Sequence, residues 1–189
     1  MEAAGTHSTA GFVLTGGRSS RMGRDKALLE IGGTTLVARI AGRVFLAAGN
    51  ATLIGEPAKY AALGFPALPD LVENAGPIGG VFTALVATQA EWNLIVACDM
   101  PAVTGEFLRS LLDAAIAGGH ACLVPETSAG LHPLCAVYHR RTLPAVRDAI
   151  DHKCFKMQEF LKKIQATAWP VSDVAALANA NTPAEWAAR

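Results

Sequence analysis

Phe12-Val13-Leu14-Thr15-Gly16-Gly17-Arg18-Ser19-Ser20-Arg21-Met22-Gly23-Arg24-Asp25-Lys26 is the stretch on which the fold turns. Its first three residues form an unbroken apolar run, as in a strand covered on both faces rather than one alternating between core and solvent. The run passes straight into a loop rich in glycine and cations. Gly16 and Gly17 permit backbone angles closed to other residues and let main-chain amides approach a ligand closely. Successive amides turned inward form a concave anion site. Arg18, Arg21, Arg24 and Lys26 place four cations within nine residues, against one acid, Asp25. In an open parallel sheet ligands gather beyond the carboxyl ends of the strands, and this loop falls at that address. Taken alone, it is either a solvated basic turn or a cradle for a polyphosphate.

Working outward, strand and helix signals alternate. Leu36, Val37, Ile40, Val44 and Phe45 follow helical spacing, and Gly49-Asn50 closes that helix. Ala51 to Ile54 predicts a second strand, ended by Gly55-Glu56-Pro57. Ile78, Val81, Phe82, Leu85 and Val86 make the stripe of an amphipathic helix. Leu94-Ile95-Val96-Ala97 is the most apolar strand candidate and runs into Cys98-Asp99-Met100-Pro101. Thr104 can cap a helix carrying Leu108, Leu111, Leu112 and Ala115 on one face. Ala121 to Val124 and Leu134 to Tyr138 predict two more strands, and Met157, Phe160, Leu161 and Ile164 another helical stripe. Thr182-Pro183-Ala184-Glu185 has the form of a capping box. The expected architecture is α/β: a single-domain, mostly parallel, doubly wound and Rossmann-like sheet with helices on both faces, over residues 11–189, behind a flexible tail of residues 1–10.

Composition narrows the functions. Lys plus Arg and Asp plus Glu both number 16, so the formal charge of the 189 residues is zero. Binding to nucleic acid through its backbone would need many phosphate-neutralising cations, so any anion site must be local and no nucleic-acid partner is expected. Cys98, Cys122, Cys135 and Cys154 form no CxxC pair, and three lie in apolar runs, as small buried hydrophobes do in a reducing compartment. The segment MEAAGTHSTAG lacks the basic and apolar regions of a secretory signal, and no apolar run reaches the ~18 residues of a membrane span. The expectation is a cytoplasmic protein without a membrane partner.

Two familiar phosphate loops are excluded. No Gly-Lys-Ser or Gly-Lys-Thr occurs, so there is no P-loop, and Gly16-Gly17 breaks the GxGxxG spacing. Asp99 follows the apolar strand, so its carboxylate should lie at the rim of the sheet. It is either a hydrogen-bonded turn residue or a ligand for a hard cation such as magnesium, which is commonly held by one or two carboxylates together with substrate phosphates. Asp70 precedes the helix opened by Gly76-Pro77; it either pairs with that helix N-terminus or accepts hydrogen bonds from a base or sugar edge. His132-Pro133 enters an apolar strand, and His132 alone reads most simply as a hydrogen-bonded structural residue.

Together these segments resemble the molybdenum cofactor guanylyltransferases of the MobA type. The signature loop corresponds to Leu14 through Lys26, the second glycine motif to Gly76-Pro77-Ile78-Gly79-Gly80, and the metal-binding turn to Cys98-Asp99-Met100-Pro101. His132-Pro133 and Asn179-Ala180-Asn181-Thr182-Pro183 resemble the segments on the pterin side, so the likeness covers about residues 11 to 186. The resemblance implies transfer of GMP from GTP to the phosphate of molybdopterin (Mo-molybdopterin), with Mg2+ as cofactor and release of pyrophosphate. It implies that Leu14, Thr15, Gly16, Gly17 and Lys26 hold the nucleotide, that Asp70 contacts guanosine, and that Asp99 binds magnesium and phosphates. Arg21 and Lys26 would neutralise the transition state, and His132 and Asn181 would face the acceptor. A molybdoenzyme or its chaperone is a further implied contact. The alternatives are a cytidylyl or sugar-phosphate nucleotidyltransferase and a non-catalytic GTP-binding maturation protein. Two positions depart from the family pattern: Thr15 stands where alanine is usual, and Ile54-Gly55-Glu56-Pro57 lacks an asparagine that often contacts the nucleotide.

Overall fold

The computed structural model describes residues 8–15 and 26–178. Its strands are β1 (Thr9–Leu14), β2 (Glu30–Ile31), β3 (Thr34–Thr35), β4 (Thr52–Ile54), β5 (Ala67–Leu68), β6 (Trp92–Ala97), β7 (Cys122–Thr127), β8 (Gly130–Leu131), β9 (Cys135–His139) and β10 (Thr167–Pro170). Its helices are α1 (Leu36–Ala48), α2 (Pro57–Tyr60), α3 (Pro77–Val86), α4 (Gly105–Ala117), α5 (Leu143–Asp151) and α6 (Met157–Lys163). The main sheet runs β10-β7-β9-β6-β1-β4-β5, with β8 added to β7, while β2 and β3 form a separate hairpin. β1 lies parallel to β4 and β6, β4 to β5, and β10 to β7; β9 is antiparallel to both neighbours.

Both faces of the sheet are covered, and successive residues of its central strands serve opposite faces. On one side Val13, Leu53, Leu94, Val96 and Val137 pack against Ile40 and Val44 of α1 and Leu108, Leu111 and Leu112 of α4. On the other, Phe12, Leu14, Ile95, Val124 and Tyr138 meet Ile78 and Leu85 of α3, Val146 of α5, and Phe160 and Leu161 of α6. This explains the unbroken apolar runs of β1 and β6, because a strand between two helical layers has no solvent face. Each fully buried aliphatic side chain contributes about 1.5–3 kcal/mol relative to exposure, so the two layers hold most of the stabilising surface.

Local signals end the elements where the chemistry requires. The Thr35 hydroxyl accepts from Ala38 N–H at the start of α1, and Gly49, with φ 80°, closes that helix in the left-handed region that glycine enters freely. Thr104 caps α4 by accepting from Phe107 N–H. Asn50 extends the β1–β4 edge with its side chain: its Oδ1 accepts from Gly11 N–H at 2.9 Å and its Nδ2 donates to Thr9 O at 3.0 Å.

Several expectations change. β1 starts at Thr9 and Ala10 is buried, so both belong to the domain rather than to a tail ending at residue 10. Phe45 and Val86 are exposed, because each lies past the edge of its helix's buried stripe. The strand read as Ala51 to Ile54 begins at Thr52, and the strand at Leu94 starts two residues earlier, at Trp92. The hairpin β2–β3, the short strand β5, helix α5 and edge strand β10 carry no counterpart in the sequence reading. The capping box at Thr182 lies outside the described residues.

Candidate functional site

The site follows from the carboxyl edge of the parallel strands. β1 ends at Leu14, and Cys98 N–H donates to Leu14 O at 3.1 Å, so the exits of β1 and β6 are tied side by side. Asp99 is the next residue after that bond. On the other flank of β6, Ala97 N–H donates to Leu134 O at 2.6 Å. Because β9 runs antiparallel to β6, with Val96 opposite Cys135, it is the beginning of β9 that reaches this edge. It brings His132 and Pro133 there. Beyond β1 comes the exit of β4, where Thr15 N–H donates to Ile54 O at 3.0 Å. Beyond β4 comes β5, where Gly55 N–H donates to Leu68 O at 2.8 Å, and Asp70 follows β5 by two residues.

His132, Asp99, Leu14-Thr15, Gly55 and Asp70 therefore lie in a row along one edge, in the strand order β9-β6-β1-β4-β5. With strands ~4.8 Å apart, four steps span roughly 19 Å. That is room for a nucleotide and a second substrate to meet end to end, with Asp99 between them. The structure brings Leu14, Thr15, Asp70, Asp99 and His132 to this edge. Gly16, Gly17, Arg21 and Asn181 lie outside the described residues; Lys26 opens a short 3-10 turn, Lys26–Leu28, and its side chain also lies outside them.

Each residue has a local cause for its position. Helix α3 can approach β1 because Gly80 lacks a side chain, since a Cβ there would stand 3.0 Å from Leu14 Cδ2; Gly79 lets the helix meet the preceding segment, where a Cβ would stand 3.1 Å from Val72 O. Asp99 is partly buried, with its Oδ1 withdrawn from solvent. An ionised oxygen held there has a large desolvation cost unless a cation or donors compensate it, and its hardness suits a hard divalent ion. Among the described residues no three His, Cys, Asp or Glu side chains cluster. Asp99 is the described residue at this edge that could hold a hard ion together with substrate phosphates and water.

His132 is held on three sides. Its N–H donates to Pro125 O at 2.9 Å, its carbonyl accepts from Cys135 N–H at 3.0 Å, and its Nε2 shares a hydrogen bond of 2.8 Å with Thr127 Oγ1. Burial lowers its pKa below the usual value, which favours the neutral ring at neutral pH. The Tyr138 hydroxyl fixes the same turn by donating to Pro133 O at 2.8 Å. Asp70 keeps an exposed edge, while the atoms packed on its other side raise its carboxyl pKa and a hydrogen bond from Thr83 opposes that rise. It meets Thr83 in the body of α3, and the N-cap of that helix is Gly76, with no side-chain cap.

Thr15 and Gly55 form a pair that the sequence reading treated separately. The Thr15 hydroxyl donates to Ile54 O at 2.8 Å, and a Cβ on Gly55 would overlap that hydroxyl oxygen. The threonine, with the Tyr60 ring beside it, thus fills the volume that a side chain at position 55 would take.

A nucleotide-loop address after β1, an acid at the neighbouring strand exit and a doubly wound sheet define the nucleotidyltransferase class. The chain belongs to the MobA-like NTP transferase domain family, whose model matches residues 11–169. It is 33% identical over 184 residues to a protein of Pelotomaculum thermopropionicum named "Probable molybdenum cofactor guanylyltransferase", covering 93% of this chain and 88% of that one. Its fold is similar to that of a protein from Aquifex aeolicus VF5, with a TM-score of 0.80 and 25% identity over 93% of this chain and 94% of that one. It is also similar in fold to molybdopterin-guanine dinucleotide biosynthesis protein A of Archaeoglobus fulgidus, with a TM-score of 0.78 and 22% identity over the same shares. No described helix is long and apolar enough to cross a membrane.

Proposed function

We propose that this protein is a molybdenum cofactor guanylyltransferase, which transfers GMP from GTP to the phosphate of molybdopterin. The observation that carries this reading is the place of Asp99 in the row of strand exits. It stands between the β1, β4 and β5 exits, assigned to the nucleotide, and the β9 turn with His132, assigned to the acceptor. The relatives' name supplies the identity of the two substrates.

In this reading an oxygen of the molybdopterin phosphate attacks the α-phosphorus of GTP. The new P–O bond forms as the bond to the bridging oxygen breaks, and that oxygen leaves with the β-phosphate in pyrophosphate. The attacking phosphate is already ionised near neutral pH, so the chemistry asks for alignment and charge neutralisation rather than a protein base. Asp99 is the residue to hold Mg2+, which when bound would neutralise charge on the phosphates. Arg21 and Lys26 are assigned to the charge that develops on the leaving group, Gly16 and Gly17 to main-chain contacts with the phosphates, and Asp70 to guanosine. Neutral His132 presents a hydrogen-bonding ring to the acceptor without adding a charge beside its phosphate, and Asn181 joins it in this assignment. The reaction is expected to take place in the cytoplasm.

The deciding experiment measures pyrophosphate release with GTP, CTP, ATP or UTP, with and without molybdopterin, and with magnesium or a chelator. Release is expected only with GTP, molybdopterin and magnesium together. A preference for CTP would move the protein to the cytidylyl branch. GTP binding without pyrophosphate release would make it a binding protein instead.

A further inference from the structure

Asp70 lies on the segment between β5 and α3, and one side chain joins this segment to the helix. Thr83 is the only side chain of Pro77–Val86 able to form conventional hydrogen bonds, and it is 1% exposed. Its hydroxyl accepts from Leu71 N–H at 3.0 Å and donates to Gly79 O at 2.9 Å. The same hydroxyl also lowers the Asp70 carboxyl pKa, against the rise that burial causes.

The helix does not need this hydroxyl. Valine would fill nearly the same volume, and a threonine bonded back to the preceding turn slightly weakens a helix. Gly79 O also sits within the helix ladder. What only the hydroxyl provides is a fixed point for the amide of Leu71, the residue after Asp70. A hydroxyl has a single proton, and here it goes to Gly79 O, so its hold on the segment is the bond it accepts from Leu71. Gly79 packs on Val72 and the adjacent Gly80 on Leu14, so Thr83 links the segment carrying Asp70 to the turn of α3 that meets both.

We propose that Thr83 is the positioning residue for Asp70: by holding the amide of the adjacent Leu71 it fixes the acceptor that recognises the guanosine part of the nucleotide. This rests on the assignment of Asp70 to guanosine. Thr83 itself touches no substrate; it acts by holding residues 70 and 71 in one place.

The test compares Thr83→Val, Thr83→Ser, Asp70→Asn and the Thr83→Val/Asp70→Asn double variant, reading kcat, KM for GTP, KM for molybdopterin and melting temperature. Thr83→Val is expected to raise KM for GTP roughly tenfold, the scale of a backbone amide left without its partner, with kcat and KM for molybdopterin within about twofold. Thr83→Ser restores KM for GTP. In the Asp70→Asn background, Thr83→Val adds less than about twofold, because the partner it positions is already gone. Should Thr83→Val not fold, Thr83→Ala, which removes the same hydroxyl and a methyl group, takes its place with the same expected sign. The proposal is overturned if KM for GTP stays unchanged, if serine fails to rescue, or if the loss is as large without Asp70. If Asp70→Asn alone leaves GTP recognition intact, the guanosine assignment fails and takes this proposal with it. An impaired Asp70→Asn beside a silent Thr83→Val sinks the positioning role only.

Discussion

At the scale of single residues, Asp99 has the most exacting position. It follows directly the bond that ties the β1 and β6 exits, so its backbone is fixed by two strands at once. Replacing it with asparagine keeps the shape and removes the charge. Asp99→Asn is expected to lower turnover by about a hundredfold or more, the scale of a lost electrostatic contribution to a phosphoryl transition state, with the melting temperature little changed. Near-normal turnover of the folded variant with magnesium would defeat the metal assignment. Its place at the strand exit was legible in the sequence, because it comes directly after an apolar strand. Thr83 was not legible: a threonine in an apolar helical stripe looks like a weak core residue, and only the folded chain places Leu71 and Asp70 against it. The Thr15–Gly55 pair was half legible, as two departures from the family pattern whose common cause is steric.

At the scale of elements, the contact between β1 and α1 is set by Gly11. A Cβ there would overlap Val44 Cγ1 and stand 2.5 Å from Asn50 O, so the backbone of one element would have to shift. Gly42, within α1, has nothing within 4 Å of its Cβ position. The two glycines should respond oppositely to the same change. Gly11→Ala is expected to destabilise by about 1–3 kcal/mol as an overpacked core position. Gly42→Ala is expected to stabilise by about 0.5–1 kcal/mol through helix propensity. Urea unfolding midpoints of the two variants check both signs. The sequence showed the elements flanked by two helical layers, β1 and β6 above all, because their apolar runs are continuous. It did not show α5 or β10. Helix α5 buries only Val146 and Ala149, too few for a stripe, and β10 is a mostly exposed edge strand whose residues give no apolar run.

At the scale of the whole molecule, the cysteines report how completely the two layers close. Cys98, Cys122 and Cys135 are buried and Cys154 is exposed. Burial raises the Cys122 thiol well above its usual range and pushes Cys135 up to about 12, so neither offers a thiolate to a reagent. In the native protein one thiol is expected to react quickly with an aromatic disulfide, and the remaining three only as the fold opens. Rapid labelling of Cys122 or Cys135 under native conditions would mean that the sheet is breached far more often than its packing implies. Fold class and the exits of β1 and β6 were readable because a doubly wound sheet repeats one rhythm. β5 was too short to read, and the direction of the reversed strand β9 was not legible either, since an apolar run carries no sign of it.

That reversed strand also has a consequence for how the chain is made. β6, buried along its full length, pairs with β1 on one side and β9 on the other. When Ala97 has been added to a growing chain, residues 98 to 139 are still to come, and at ~5–20 residues per second they take roughly 2–8 s. Through that interval the most apolar strand of the protein presents an unpaired main-chain edge. An open hydrophobic edge is a template for pairing with any other extended chain. The nascent polypeptide is therefore most exposed to association in the interval between β6 and β9, when the strands made so far can already collapse and the covering strand does not yet exist.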